Sequence, residues 1–508
     1  MSTRRILRNS FWLGLDTVID AAISFVTSVA IARAIGPQNL SYFVYISWLA
    51  RIATLFASFG VPSALCKYMA EYLGRGQQSI ARAVFEVALR FQFGVALILT
   101  TVGTVLVFLF GDPAYRIASL VLVGSVFPSM IDCVSTAANT AAEDPAANVV
   151  GSVISSVVYA AGVGLSILYG WGVIGVAGAL CCSRTIEMFV RLLPALRWVR
   201  ALELAPLPPE LGRRMFVFSR QGLLLMIVGL VVWDRSEVIF LKNFVPDARQ
   251  LAFYSVAIAL TEGTLSLIRV LTTAISATIR VQYGRDKDSL SRIMLTSMRY
   301  LTIFAVPLYL GLTMLCGPVI RLLYGSAYIP AIPVLAIAAA LGITKGFLPL
   351  IQVFLQTTEQ QGFVVRWMVI SAGINVLLDW VFISHFAAVG AAVANGLAQV
   401  VAIAGLWAYT AKRSGLVLPV RTFMALVPGT VAMVLVLWPI SIMFKPVAAI
   451  CVGAPTALAV YFAILRLMKV LRIEDRDRLH QIRYTMPSRA RGPFDVAVDF
   501  LVPAVPQK

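Results

Sequence analysis

Long apolar runs alternate with short polar breaks along the chain. Most runs hold about 20 residues, which is the length a helix needs to cross the hydrocarbon layer of a membrane. Lipid offers no hydrogen-bond partners to the backbone, so these runs are expected to be helices. The pattern predicts fourteen spans, over residues 10–31, 40–61, 83–110, 117–141, 147–168, 173–196, 216–241, 251–275, 296–315, 332–355, 363–382, 387–409, 423–442 and 447–467.

A hairpin pattern around Gly36-Pro37 returns in the second half of the chain around Pro246. In both copies an apolar run ends at the turn, and a second run follows with an ionisable residue inside it, Arg51 in the first and Glu262 in the second. The start of span six also resembles the start of span twelve. Six spans per repeat is an even number, so both copies share one orientation. The pattern therefore predicts two similar lobes around a polar cavity.

The predicted fold class is an all-α polytopic membrane protein with two pseudo-symmetric six-helix lobes and a C-terminal helix pair. The predicted parts are an N-terminal lobe over 1–200, a cytoplasmic linker over 201–215, a C-terminal lobe over 216–411, extra helices over 419–468 and a cytoplasmic tail over 469–508. Residues 64–73, after span two, have apolar side chains on one side and predict either a short helix on the inner membrane surface or a solvated connector.

Composition supports a membrane protein. The chain is 59% hydrophobic and 13% charged, whereas an average soluble protein is about half apolar and roughly a quarter charged. The net charge of +18 comes mainly from loops that would lie on one side of the membrane. This asymmetry predicts that both ends are cytoplasmic. The six cysteines and two histidines show no metal-ligand spacing, and no nucleotide-binding loop or hydrolase motif occurs. The expectation is a transporter without a cofactor.

Ionisable residues inside the spans are the candidates for function, because charges in lipid are costly and usually face protein or water. Those near the membrane midplane are Asp20, Arg51, Arg184, Glu262 and Lys345, those toward the cytoplasm are Asp132 and Arg269, and those toward the outside are Asp234, Arg235 and Asp379. They can be structural ion pairs, such as Arg51 with Glu262, or they can line a cavity. The prominent mid-depth cations favour a cavity for an anionic cargo, since guanidinium groups match phosphate oxygens. The group Arg184, Glu187 and Arg191 is interpreted as structural or interfacial.

Several short motifs resemble one family. They lie at residues 32–37, followed by a Tyr-Phe pair, and at 59–71, 323–328 and 389–392. In these stretches the chain is similar to the bacterial lipid-linked oligosaccharide (O-antigen or exopolysaccharide) flippases of the multidrug/oligosaccharidyl-lipid/polysaccharide exporter superfamily. One departure is Leu40-Ser41, where relatives commonly have an aromatic residue and a glycine.

The resemblance implies alternating access between two lobes that enclose a V-shaped cavity. It also implies that cavity cations hold a lipid pyrophosphate while the isoprenoid tail stays in the bilayer. Arg51, Arg269 and Lys345 are the residues matched to that role. The last two spans are expected to help guide the tail.

The predicted function is a flippase that carries an undecaprenyl-pyrophosphate-linked oligosaccharide across the inner membrane for cell-surface polysaccharide biosynthesis. Membrane lipids and polysaccharide polymerase machinery are the expected partners, and nucleic acid is not. Proton or sodium coupling is assigned to Asp20, Asp132 and Glu262, and Asp234 with Arg235 is assigned as an outer gate pair.

Two alternatives remain open from the sequence. One is an ion-coupled multidrug or organic-cation antiporter of the same superfamily, which would have a cavity dominated by carboxylates. The other is a membrane polysaccharide polymerase or ligase, which would carry catalytic groups on a long outer loop.

Overall fold

The structure, a computed structural model, describes residues 3–203, 205–233, 236–283, 287–415, 420–468, 470 and 492. Its secondary structure is helical over this described part, where no strand occurs. The α-helices are α1 (Thr3–Ala57), α2 (Val61–Gly74), α3 (Gln78–Phe110), α4 (Arg116–Gly124), α5 (Val126–Ala141), α6 (Pro145–Leu168), α7 (Gly172–Arg200), α8 (Pro209–Trp233), α9 (Glu237–Phe244), α10 (Arg249–Tyr283), α11 (Lys287–Met314), α12 (Cys316–Leu323), α13 (Ala331–Gly342), α14 (Leu348–Thr357), α15 (Gln361–Ser414), α16 (Val420–Met443), α17 (Pro446–Ala448) and α18 (Ala454–Leu467). Short 3₁₀ segments lie at Pro113–Tyr115, Ser326–Tyr328 and Ile343–Phe347, and a π-helical turn lies at Ala449–Gly453.

The chain is a multi-pass, all-α membrane protein, as predicted. Among the described residues, eleven helical segments are long and apolar enough to cross a membrane. Nine of them each match one predicted span, and the two longest, in α1 and α15, each hold two predicted spans. Predicted span seven is divided between α8 and α9.

Each of the two longest helices is interrupted at one residue, which lies between the two predicted spans in α1 and at the first residue of the second predicted span in α15. In α1 this residue is Gly36, with φ at +72°, a conformation that glycine adopts without a steric penalty. In α15 it is Ala387, with φ at +50°. A β-carbon on Gly390 would overlap the carbonyl oxygen of Phe382. Eight residues of straight helix would separate these positions by about 12 Å, so the chain reverses here.

The chain forms two compact units. Unit 1 comprises Met1–Ala259 and Met368–Asn395, and unit 2 comprises Leu260–Trp367 and Gly396–Lys508. The six-helix lobes and tail assigned from the sequence remain a prediction.

Unit 1 has an apolar core where α2, α3, α5, α7 and α8 meet. The short helix expected after span two is present as α2. Its apolar side chains Leu65 and Met69 are fully buried in this core, so α2 packs against protein rather than lying on the lipid surface. Elsewhere in the unit, a β-carbon on Gly162 of α6 would lie 2.8 Å from that of Ala179 on α7. Small residues allow such close helix contacts in membranes.

Unit 2 includes the predicted extra helix pair. Helices α16 and α18 pack on each other, and α16 also packs along α11. The buried Tyr461 of α18 donates a hydrogen bond from its hydroxyl to the carbonyl oxygen of Ile303 in α11, at 3.1 Å. The extra pair is thus an integral part of this unit.

A glycine substitution tests how closely the start of α2 approaches α8. A β-carbon on Gly60, which has φ at +70°, would lie 2.5 Å from the carbonyl oxygen of Ser219. Gly76 has a similar φ of +75° and no atom within 4 Å. We expect Gly60→Ala to lower the free energy of unfolding by roughly 2–4 kcal/mol, from backbone strain and overlap together. Gly76→Ala should cost about 1 kcal/mol, from strain alone. Thermal unfolding in detergent measures both, and equal losses would contradict the close approach.

Candidate functional site

A cavity of about 300 Å³ in unit 1 contains two of the residues predicted from the sequence, Arg51 and Asp132. Arg51 follows the interruption at Gly36 in α1, and Asp132 comes from α5. The same cavity is also lined by Arg184 of α7. Hydroxyl-bearing side chains form much of the remaining wall, from Ser47, Thr54, Ser125 and Ser129. Two guanidinium groups among hydroxyl donors suit an anionic ligand.

A chain of ion pairs connects this cavity to the interior of unit 1. Arg191 contacts Asp132 at 2.7 Å and Glu187 at 2.8 Å, and Glu187 also contacts Arg184 at 2.7 Å. Arg191 and Glu187 are buried, whereas the side chain of Arg184 is 47% exposed. Further hydrogen bonds from Arg191 go to the side chains of Thr136 and Ser152 and to the carbonyl oxygen of Asn148. The buried guanidinium group of Arg191 is thus well satisfied, as a charge in an apolar interior requires.

The three residues Arg184, Glu187 and Arg191, interpreted from the sequence as structural or interfacial, lie in two different environments. Glu187 and Arg191 are internal to unit 1, and Gly151 leaves the space that Arg191 fills, because a β-carbon there would lie 2.6 Å from its Nε. Arg184, by contrast, extends to the cavity that Arg51 lines. Sequence reasoning therefore missed Arg184 as a cavity residue.

Two carboxylates assigned to ion coupling already have partners within unit 1. Asp20 accepts a hydrogen bond from the hydroxyl of Ser156 on α6. Asp132 Oδ2 is held by Arg191, while its Oδ1 is buried and has no hydrogen-bond partner in the structure. Asp132 is thus an ion-pair partner with one oxygen atom still available.

Unit 2 brings three predicted residues together. Arg269 Nη2 lies 3.1 Å from Glu262 Oε2, and Lys345 Nζ lies 3.8 Å from Glu262 Oε1. Glu262 and Arg269 both belong to α10, whereas Lys345 lies in the 3₁₀ segment between α13 and α14. Two of the predicted cargo-binding cations therefore share one carboxylate.

The assigned gate pair, Asp234 and Arg235, lies outside the described residues. Next to it, the described part of unit 1 holds a polar cluster that sequence reasoning did not assemble. Ser236 donates a hydrogen bond to Asp379 at 2.9 Å and accepts one from Asn375 at 3.0 Å.

The second half of this cluster is centred on Glu237. Its Oε1 accepts a hydrogen bond from Asn395 at 2.7 Å. Both Glu237 and Asp379 are fully buried, and each has one oxygen atom, Oε2 and Oδ1 respectively, without a hydrogen-bond partner in the structure. Carboxylate and amide oxygens of this kind bind hard cations or protons. The four-residue spacing of Asn375 and Asp379, on one face of α15, was the available sequence signal.

The family model for polysaccharide biosynthesis proteins matches residues 6–279, more than half of the chain. The chain belongs to this family. The chain is also similar to a probable low-salt glycan biosynthesis flippase, Agl15, from Haloferax volcanii. The two are 22% identical over 400 residues, which cover 77% of this chain and 80% of the relative.

Solved structures share the fold of this family member. The lipid II flippase MurJ in an inward closed conformation aligns with a TM-score of 0.73 at 15% identity, over 89% of this chain and 97% of its own. An inward-facing multidrug resistance MATE transporter of the MOP superfamily aligns with a TM-score of 0.66 at 15% identity, over 78% of this chain and 95% of its own. The family resemblance inferred from the sequence is confirmed by the family match, and the fold is shared with these transporters.

Removing one residue of the ion-pair network should destabilise the fold strongly only at the buried end of the network. Arg191→Met leaves Asp132 and Glu187 without their shared cation, and we expect a loss of about 3–5 kcal/mol in unfolding free energy. Arg184→Met removes a half-exposed guanidinium, and we expect less than about 1 kcal/mol. Thermal unfolding of the purified protein in detergent compares the two. A small loss for Arg191→Met would show that the network does not support the fold.

Proposed function

We propose that the protein is a flippase that translocates an undecaprenyl-pyrophosphate-linked oligosaccharide across the membrane by alternating access. The observation that carries this proposal is the membership of a multi-pass helical chain in the polysaccharide biosynthesis family. The similarity to a probable glycan biosynthesis flippase and the fold shared with a lipid flippase support it. In such a step the cargo changes sides and no covalent bond is made or broken.

The pyrophosphate is the part of the cargo that the described cations suit best. Arg51 and Arg184 line one cavity in unit 1, and paired guanidinium groups bind phosphate oxygens with charge-assisted hydrogen bonds. Arg269 and Lys345 supply two further cations in unit 2. We propose that Arg51, with Arg184 as an additional ligand beside it, is one pyrophosphate-contacting set within unit 1, and that Arg269 and Lys345 are another within unit 2. The isoprenoid tail would stay in lipid.

Charge placement supports an orientation. The basic loops would lie on one side of the membrane, which is usually the cytoplasmic side. We therefore propose that both termini face the cytoplasm and that the cargo leaves the cytoplasmic face of the inner membrane. The oligosaccharide would then be delivered to polymerase machinery on the outer side.

The energy source that we propose is an ion gradient acting through Glu237 and Asp379. Both are fully buried and each retains an oxygen atom without a hydrogen-bond partner in the described structure, so a bound proton or sodium ion would satisfy them. Of the carboxylates assigned to coupling from the sequence, Asp20 accepts a hydrogen bond from Ser156. Asp132 also keeps one oxygen atom without a hydrogen-bond partner, but Arg191 already balances its charge.

Transport of a fluorescent polyprenyl-pyrophosphate oligosaccharide into proteoliposomes tests the function. We expect the wild type to transport the lipid. In Arg51→Ala and Arg269→Ala we expect the transport rate to fall at least about tenfold, because each substitution removes a charge-assisted contact worth about 1.5–3 kcal/mol. Arg75→Ala is the control, because Arg75 is exposed, contacts Glu71 and lines none of these sites. Efflux of organic cations without transport of the lipid would favour the antiporter instead. Release of a polymerised or transferred glycan would favour the polymerase or ligase.

Imposed proton and sodium gradients test the coupling site in the same vesicles. We expect a gradient to stimulate transport by the wild type. Transport by Glu237→Gln and Asp379→Asn should not be stimulated, because an amide cannot exchange a proton or balance a cation. The control is Asp144→Asn, which alters an exposed carboxylate outside the cluster. Stimulation that persists in both cluster variants would contradict coupling at this position.

A further inference from the structure

Glu262 occupies a position that the binding of an anionic cargo does not require. It lies between Arg269 and Lys345, two of the cations proposed to contact the pyrophosphate, and it uses a different carboxylate oxygen for each. A carboxylate makes the same kind of charge-assisted hydrogen bond to these donors that a phosphate oxygen makes. Glu262 is therefore an anion, supplied by the protein, at the place where the cargo's anion would bind.

The three side chains differ in accessibility. The Lys345 side chain is 7% exposed, whereas those of Glu262 and Arg269 are 37% and 57% exposed. A ligand can thus reach Arg269 more readily than Lys345, which is buried. Lys345 also lies on the 3₁₀ segment Ile343–Phe347, where the helical hydrogen-bond pattern changes between α13 and α14. Such mid-span changes permit local rearrangement more readily than a continuous α-helix does.

A carboxylate at this position lowers the affinity for the cargo. Without cargo, Glu262 offsets part of the positive charge of Arg269 and Lys345. A pyrophosphate that binds them has to compete with this carboxylate, or bind beside it and bear the repulsion. When the cargo leaves, Glu262 restores the contacts that the departing phosphates give up, so release does not leave two cations without that partner.

We propose that Glu262 is an internal competitor of the cargo pyrophosphate, a positioning residue that limits affinity so that the cargo can be released. This inference rests on the proposed function and assigns a role to one residue of that site. It predicts that removal of the carboxylate strengthens binding and slows turnover. If Glu262 only supported the fold, its removal would weaken binding and also slow turnover.

The test uses the full-length protein in lipid nanodiscs with geranylgeranyl pyrophosphate as the probe and geranylgeraniol as its phosphate-free counterpart. We expect Glu262→Gln to bind the pyrophosphate up to about tenfold more tightly, an effect limited by the partial exposure of the site. Its affinity for the alcohol should not change. In proteoliposomes the same variant should show a lower KM and a lower maximal rate. Glu262→Ala removes the same charge and is measured in parallel, in case one variant does not fold.

The chain provides a matched control in Glu86, which also bridges two cations, Arg82 at 2.9 Å and Arg90 at 3.0 Å. Glu86→Gln should leave binding and transport at wild-type values.

The outcomes separate the two proposals. If the wild type binds pyrophosphate no better than the alcohol, the proposed headgroup site is wrong, and this inference fails with it. If the wild type prefers the pyrophosphate but neither Glu262 variant binds it more tightly, the site stands and the competitor role is overturned.

Discussion

Moving a charged group from water into an apolar interior costs several kcal/mol unless a partner or water compensates. This constraint acts on each ionisable residue that the spans of this protein carry. Backbone groups satisfy it by forming helices, as they do over the described residues. Side chains satisfy it in two ways, by pairing inside a unit or by lining a cavity, and the difference between these two ways separates structural charges from candidates for function.

The two ion-pair groups illustrate this difference. In unit 1, Arg191 is buried and bonded on every side, so its charge is fixed in place. In unit 2, Glu262 joins one buried cation to one exposed cation. A closed network of the first kind resists rearrangement, because removing any contact leaves a buried charge without its partner. An open group of the second kind can exchange one anion for another at little cost, which is what a transporter needs of a binding site.

The sequence predicted the spans well because lipid imposes one simple pattern on every run. It also located the interruption at Gly36, and it identified Arg51 as a residue that lipid contact cannot explain. It could not predict which charges meet. Asp132 and Arg191 come from different helices, and their contact depends on helix rotation that hydropathy does not encode. Glu237 was overlooked because a carboxylate near the end of a span usually needs no explanation, whereas here it is fully buried. The apolar side of α2 would look the same in sequence whether it faced lipid or protein.

The fold does not determine the sign of the cargo, since a lipid flippase and a multidrug transporter both share it with this chain. Counting charges in the spans does not determine it either. Glu262 and Arg269 cancel in a count, yet the structure places them in a partly exposed contact of 3.1 Å. Arg191 adds a cation to the count but directs it toward two internal carboxylates. The cargo class is therefore indicated by the charges that can exchange partners within each unit. Among the candidate residues, Arg51 and Arg184 of unit 1 line a cavity and Arg269 of unit 2 is 57% exposed, which favours an anionic cargo.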